Sequence, residues 1–565
     1  MKTANIGSTT SAMKDQLDEL KAQIFTGASH VELGFMGVDK GSVSGGRPTP
    51  GIFGKDQREE MRQLSKINKT TLSTHASLGV MGLAGTTERG GFSETARIKA
   101  LDEVKAAIEF NADVGGSAVV VHLGEFNRPT GEREISEGIK ERKGFIDYGE
   151  GVPQYFVDKR TGDPLFSFTK DKEVILPHYK YNPETGKHYW DKEIVKFDGK
   201  TMEDAKTFFE RYLKKEIAME QGRSDQFARE ADEELEKIQM LKKAKTPEEK
   251  KAIINGLPPY IKNALMNKGL DEDQIFKFLL EKERQDFLDH KSTAEGFHRA
   301  VAQTEETIKN ISTAREYALQ KTKESVSDLG IYAMNQTQDK RLKDPIFIAP
   351  ESIFPEQYGS HPEELKEVVI ESRKRMQEKL VQKGMDKEEA KELAAKHIKA
   401  TFDIGHAYTW KKYYKGNEKD FNKWVIQQAD QLLKEGIIGH VHVTDNMGYA
   451  DDHLPMGEGK VPIEKFTEVL SKRNFEGKII AEAGDRDFSS EPGAALKHAW
   501  KTMGSPIYRI DMGTYTPLPT IRPLTRSWTE IEGSYFGRTG SPTYIVGEKL
   551  IPSKDWVFWT EQPME

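Results

Sequence analysis

The sequence contains no cysteine. That excludes disulfides, thiolate metal ligands and thiol nucleophiles, so any metal must be held by His, Asp and Glu. Long apolar runs are also missing: none approaches the roughly 18 residues needed to cross a bilayer. The first residues, MKTANIGSTT, lack the apolar core of a signal peptide. The chain is therefore expected in the cytoplasm and away from membranes. Positive charge is not in excess either, because the formal net charge is −7. Nucleic acid would meet no general attraction and would need a local basic face. What the sequence does have is 565 residues, of which 31% are charged and 36% hydrophobic. That length exceeds a usual single core, so one large domain with additions, or two domains, is expected.

Strand-like and helix-like segments alternate along much of the chain. The segments 4–10, 30–35, 70–77, 117–125, 345–352, 399–407, 437–443 and 478–484 read as strands, most of them separated by amphipathic helices. AVVVH and KIIAE are near-continuous apolar runs, which suits strands buried on both faces of a parallel sheet. Doubly wound sheets share this alternation but commonly open on a Gly-rich phosphate loop, and none is seen here. The reading is an α/β chain folded as a (β/α)8 barrel over 1–126 and 293–502. Residues 127–292 read as an α+β insertion after the fourth strand, with hairpins (NPETG marks a turn) followed by charged helices. Residues 503–565, rich in aromatics and proline, read as an extension that packs on the barrel or on a partner, and a homodimer through it is a further expectation.

The stretch from His440 to Gly459 (HVHVTDNMGYADDHLPMGEG) places His442, Asp445, Asp451, Asp452 and His453 just past a strand. Imidazoles and carboxylates so crowded suit a divalent cation such as zinc. In such a barrel the carboxyl ends of the strands face one pocket. There the chain carries His75, His122, Glu351, Asp403, His406, His442, Asp451, His453 and Glu482. Each has a bland explanation alone, since a single strand-end His is more often a hydrogen-bonded core residue. Jointly, on successive strands and at one end, they point to metal binding. Asp445, Asp452 and His440 are candidates for orienting those ligands. GEG at 457–459 reads as a turn and not a phosphate loop.

Around NIGSTTSA, THAS, VVVHLGE, PES…YGS, FDIGHA, HVHVTD…DDHLPMGEG and IIAEAG the sequence resembles the superfamily of endonuclease IV and the xylose-isomerase-like sugar isomerases and epimerases. The resemblance covers roughly 1–125 and 293–502. It implies up to three zinc ions: one on His75, His122 and Glu351, a second on Glu351, Asp403, His442 and Glu482, a third on His406, Asp451 and His453. The implied reaction is phosphodiester hydrolysis next to an abasic site in DNA, hence a role in DNA repair, with Glu351, Glu482 and His406 as catalytic residues. Leu78 stands where endonuclease IV enzymes often carry a DNA-entering tyrosine, and Arg47 is the sole basic probe in the loop GSVSGGRPTPG. The alternative is a sugar or sugar phosphate isomerase/epimerase. One Mn²⁺, Mg²⁺ or Co²⁺ would then sit on Glu351, Asp403, His442 and Glu482, and the two glutamates would trade a proton. A barrel kept as a non-catalytic scaffold is the third alternative.

Overall fold

The computed structural model describes residues 6–87, 91–126, 154–168, 173–196, 202–482 and 494–503. Eight parallel strands close into a barrel: Ile6–Thr9, His30–Gly34, Thr71–His75, Ala118–His122, Phe347–Glu351, Ala400–Asp403, Ile438–Val443 and Lys478–Ala481. They are called strands one to eight here. The first and last pair directly, Ile6 beside Ile479, which completes the ring. The expected (β/α)8 architecture is the one observed.

Alternation along each strand builds two layers. In Ile438–Val443 the residues Val441 and Val443 join the large cluster packed between strands and helices, with Val31, Leu33, Val119 and Phe402. The intervening His440 and His442 face the barrel interior, because successive strand side chains point to opposite faces. The surrounding helices have local reasons for their ends. Ser93 accepts the Ala96 N–H at the start of Glu94–Val114, and Gly115, at φ 81°, stops it in a left-handed conformation. Asp15 likewise caps Gln16–Phe25 by accepting from the N–H groups of Leu17 and Asp18.

The chain divides into two compact units. The first, Met1–Val157, Thr161–Pro164 and Ala314–Glu565, holds the barrel. The second comprises Asp158–Arg160 and Leu165–Thr313. Residue 293, expected as the point where the barrel resumes, lies inside the continuous helix Glu272–Asn310, and the barrel's own helix is Ala314–Asp339. Helical periodicity runs through the boundary because both sides are amphipathic. The second unit contains an antiparallel hairpin, Glu173–Asn182 with Lys187–Lys196, turned at the NPETG signal. It also contains the long helices Met202–Lys243 and Glu272–Asn310, and a small core of Leu241, Ile254, Leu265, Ile275, Phe276 and Leu279. No helix among the described residues is long and apolar enough to cross a membrane. The aromatic extension expected at 503–565, with its dimer contact, lies outside the described residues except for Met503.

Candidate metal centre

Strand register sets the level of the donors. In the barrel Glu351 pairs with His122, Asp403 with His442, and Gly34 with His75. Side chains at one level of parallel neighbours share a face, so these groups converge at the carboxyl mouth. The loop after strand seven then returns Asp451 and His453 to the same mouth. His453 adopts a left-handed φ of 47°, which turns its ring back toward strand eight.

All nine expected donors come together there, in three groups whose ligand atoms lie within 4.8 Å of one another. In one, the Nε2 atoms of His75 and His122 stand 3.4 and 3.5 Å from Glu351 Oε2. In the next, His442 Nδ1 is 2.9 Å from both Glu351 Oε1 and Glu482 Oε2, with Asp403 completing the set. In the third, Asp451 Oδ2 lies 3.0 Å from His406 Nε2 and 2.9 Å from His453 Nε2.

Neighbouring backbone fixes which atoms face inward. His75 Nδ1 donates to the Ala76 carbonyl, His406 Nδ1 to that of Ser352, and His453 Nδ1 to that of Glu482. A carbonyl only accepts, so those nitrogens carry the protons and each Nε2 of a neutral ring turns a lone pair toward the mouth. Asp403 Oδ1 accepts from Gly405 N–H, His406 N–H and the Thr444 hydroxyl, which leaves Oδ2 aimed into the site. A Cβ on Gly405 would collide with the Thr444 hydroxyl, which accounts for glycine in FDIGHA.

Both oxygens of Glu351, together with Asp403 Oδ2, Glu482 Oε2, Asp451 Oδ1, His75 Nε2 and His442 Nδ1, are buried without a hydrogen bond of acceptable geometry. Burying carboxylates and lone pairs against one another is costly unless positive charge is shared among them. Divalent cations fit this donor set: oxygen and imidazole nitrogen, no sulfur, and most inward atoms of the first two groups unsatisfied, while in the third Asp451 Oδ2 bonds to His406 and His453.

The electrostatics carry the same imbalance. Burial opposes charge on His442, yet Glu351, Glu32 and Glu482 outweigh it and hold the imidazole well above its ordinary value. Burial likewise opposes ionisation of Glu482, but His442 and His453 bring its carboxyl down to about 2. His453 rises to about 9, because its bond to Asp451 overcomes its own desolvation. Glu482 is thus ionised and the His442 and His453 imidazoles hold protons where cations would sit, whereas burial raises Asp403 and lowers His122.

Other expectations are redistributed. Asp445 does not orient an imidazole. Its carboxylate accepts from the backbone N–H groups of Asn446, Gly457, Gly459 and Val461, clamping the loop that carries Asp451 and His453. Asp452 is exposed, and GEG forms a turn, as expected. His440 lies one pleat deeper, 3.5 Å from Glu32. Glu32 itself, on strand two, is a residue the strand-end reading missed. It is fully buried, and its Oε1 is 2.8 Å from His442 Nε2. The alternation of His30 and Glu32 within HVELG was the available signal. Arg47 sits exposed on a small hairpin with Ser42.

Beside the donors lies a cavity of about 340 Å³, lined by Thr9, Thr10, Ser11, Ala12, Met13, Glu32, Gly34, Met36, His75, Leu78, His453 and Glu482. It admits a small molecule or one protruding group of a larger one, and among the described residues its lining includes no lysine or arginine.

Residues 381–503 match the family described as xylose isomerase-like TIM barrel. A 93-residue stretch is 38% identical to an uncharacterized protein of Methanocaldococcus jannaschii, covering 16% of this chain and 28% of that relative. Among solved structures, the chain is similar to a D-tagatose 3-epimerase-like protein at 14% identity and TM-score 0.36, covering 89% of this chain and 99% of that one. It is similar to endonuclease IV from Thermus thermophilus at 10% identity and TM-score 0.36, over 88% and 98%. Likenesses so distant carry no argument about activity. The stretch 381–503 that matches the xylose isomerase-like TIM barrel family thus supplies the sixth to eighth strands of a closed eight-stranded parallel barrel.

Proposed function

We propose that this protein is a metal-dependent hydrolase of phosphodiesters, acting next to an abasic site in DNA. One observation carries the reading: three groups of donors converge on one barrel mouth, nine side chains in all, where a single-cation enzyme needs four. His75, His122 and Glu351 would hold one cation. Glu351, Asp403, His442 and Glu482 would hold a second, and His406, Asp451 and His453 a third. Bound there, divalent cations supply electrophilic activation of a phosphoryl oxygen and ionisation of water near neutral pH.

The chain's own residues prepare that site. Carbonyls of Ala76, Ser352 and Glu482 lock three imidazoles with Nε2 inward, so donors need no reorganisation on loading. Asp445 holds the loop that delivers the third group. The hydroxyls of Thr9 and Ser11, with Met13, Met36 and Leu78, shape the adjoining cavity for the uncharged part of the substrate.

A second reading is a sugar or sugar phosphate isomerase or epimerase working with one Mn²⁺, Mg²⁺ or Co²⁺. It is favoured by the four-donor group being complete on its own and by a small cavity that has no cationic lining among the described residues. Elemental analysis and turnover separate the two. About three zinc per chain, with cleavage of an abasic duplex that Glu351→Gln abolishes, supports the hydrolase. One exchangeable Mn²⁺ or Mg²⁺ with ketose epimerisation replaces it by the isomerase. Bound zinc without nuclease activity defeats the hydrolase.

A further inference from the structure

Below the metal centre the barrel interior is filled with polar groups outside the three donor groups, although Glu32, His440 and His442 also bring ligand atoms within 4.8 Å of one another. His30 and Glu32 on strand two, Ser73 on strand three and His440 on strand seven are all buried. Their donors and acceptors can be assigned in one direction. The Ser73 hydroxyl donates to Glu32 Oε2 at 2.9 Å. Ser73 Oγ lies 2.9 Å from His30 Nε2 and, having given its own proton to Glu32, accepts there. His30 Nδ1, 2.8 Å from Thr71 Oγ1, then accepts the threonine proton. Every proton in this chain points toward Glu32, an ionised carboxylate with no proton to give.

Across the barrel, Glu32 Oε1 faces His442 Nε2 at 2.8 Å, off the straight line of a full hydrogen bond. A lone pair facing a carboxylate oxygen at that distance is strongly repelled, so Nε2 carries a proton, and by the same rule Nδ1 carries one opposite Glu351 and Glu482 until a cation displaces it. His442 Nδ1, on the other edge of the same ring, faces Glu351 and Glu482. We infer that Glu32 is a positioning residue: it keeps the proton on Nε2 of His442, so that Nδ1 is the bare nitrogen offered to a cation, while Ser73 and His30 hold the Glu32 carboxylate in place. The inference rests on the metal-centre reading above.

The test measures cation affinity, by competition with a chelator for Zn²⁺, and the Co²⁺ absorption spectrum of the full chain. The unsubstituted protein is compared with Glu32→Gln and Ser73→Ala. Glu32→Gln should weaken the tightest Zn²⁺ equivalent involving His442 by about 10–100-fold and alter the Co²⁺ spectrum. Ser73→Ala, which removes one donor to Glu32 and retains the carboxylate, should produce a smaller loss of the same kind. Both should keep the circular dichroism of the unsubstituted chain. If Glu32→Gln fails to fold, the Ser73→Ala affinity decides. Unchanged affinity with only a lowered melting temperature overturns the inference and leaves the metal centre standing. Loss of an additional equivalent with the others untouched also overturns it, since Glu32 would then be a ligand. Absence of cation binding by the unsubstituted protein overturns both readings together.

Discussion

The two halves of the barrel interior are built on opposite principles. Strands four and five fill it with Ala118, Val120, Phe347 and Ala349, a buried apolar cluster. Strands two, three and seven fill it with His30, Glu32, Ser73 and His440, equally buried. Apolar burial contributes roughly 25 cal/mol per Å². A polar group buried without a partner instead costs about 2–7 kcal/mol, and the polar half is tolerable only because its members bond to one another. A residue set that costs more and stabilises less is best explained by what stands on top of it, and His442 rests on Glu32. One half lodges stability, and the other supports the site.

Substitutions can break that division. The largest effect is expected from Glu351→Gln, since Glu351 belongs to two donor groups. Phosphodiester hydrolysis should fall about 10³-fold or more, near 4 kcal/mol of transition-state stabilisation, in steady-state assays. In the apolar half, Phe347→Ala should cost about 3 kcal/mol in denaturant unfolding and leave Zn²⁺ affinity unchanged. A loss of affinity there would dissolve the contrast. Chelation should destabilise the unsubstituted protein by about 2.7 kcal/mol relative to a solution with free cation at 100 times Kd, read as a shift in melting temperature. The same chelator should shift Glu351→Gln much less. Asp451→Asn should remove one metal equivalent and spare those held on strands, with activity down about 10–100-fold.

The smallest effect lies outside the barrel interior, at Glu94, which pairs with Arg97 and with Lys321 across two helices. Its bond to Arg97 holds the carboxyl at about 2, below the ordinary glutamate value of 4.5. A depressed folded pKa gives stability that is present above the unfolded value and lost as pH falls toward the folded one. Because the side chain is 48% exposed, solvent screens the pair, and Glu94→Gln should cost no more than about 1 kcal/mol at neutral pH. That difference should vanish on acidification from about 4.5 to about 2, as followed by urea unfolding at each pH.

Much of this was legible in the chain. Period-two alternation ending in His, Asp or Glu marks the strands, and barrel geometry brings their ends together whatever the loops do. Glu32 escaped because the reading looked at strand termini, while its partner lies on a strand far away in sequence and across the ring. Asp445 read as a candidate second-layer acid from spacing alone. The fold of residues 446–461 instead gave its oxygens to four backbone N–H groups, and no local pattern announces that. The end of the inserted unit was misplaced for a related reason. An amphipathic helix shows that it has an apolar face but not which core receives it, so Glu272–Asn310 could not be divided from Ala314–Asp339 by periodicity.

By itself the sequence determined the alternation of strand and helix, the absence of thiol chemistry, and the stock of oxygen and imidazole donors, because these follow from residue type and short-range spacing. Only the closed barrel decided which donors share a cation, which nitrogen of each imidazole faces the mouth, and that Glu32 stands beneath His442. Those depend on register and on distances through the interior, where residues hundreds of positions apart become neighbours.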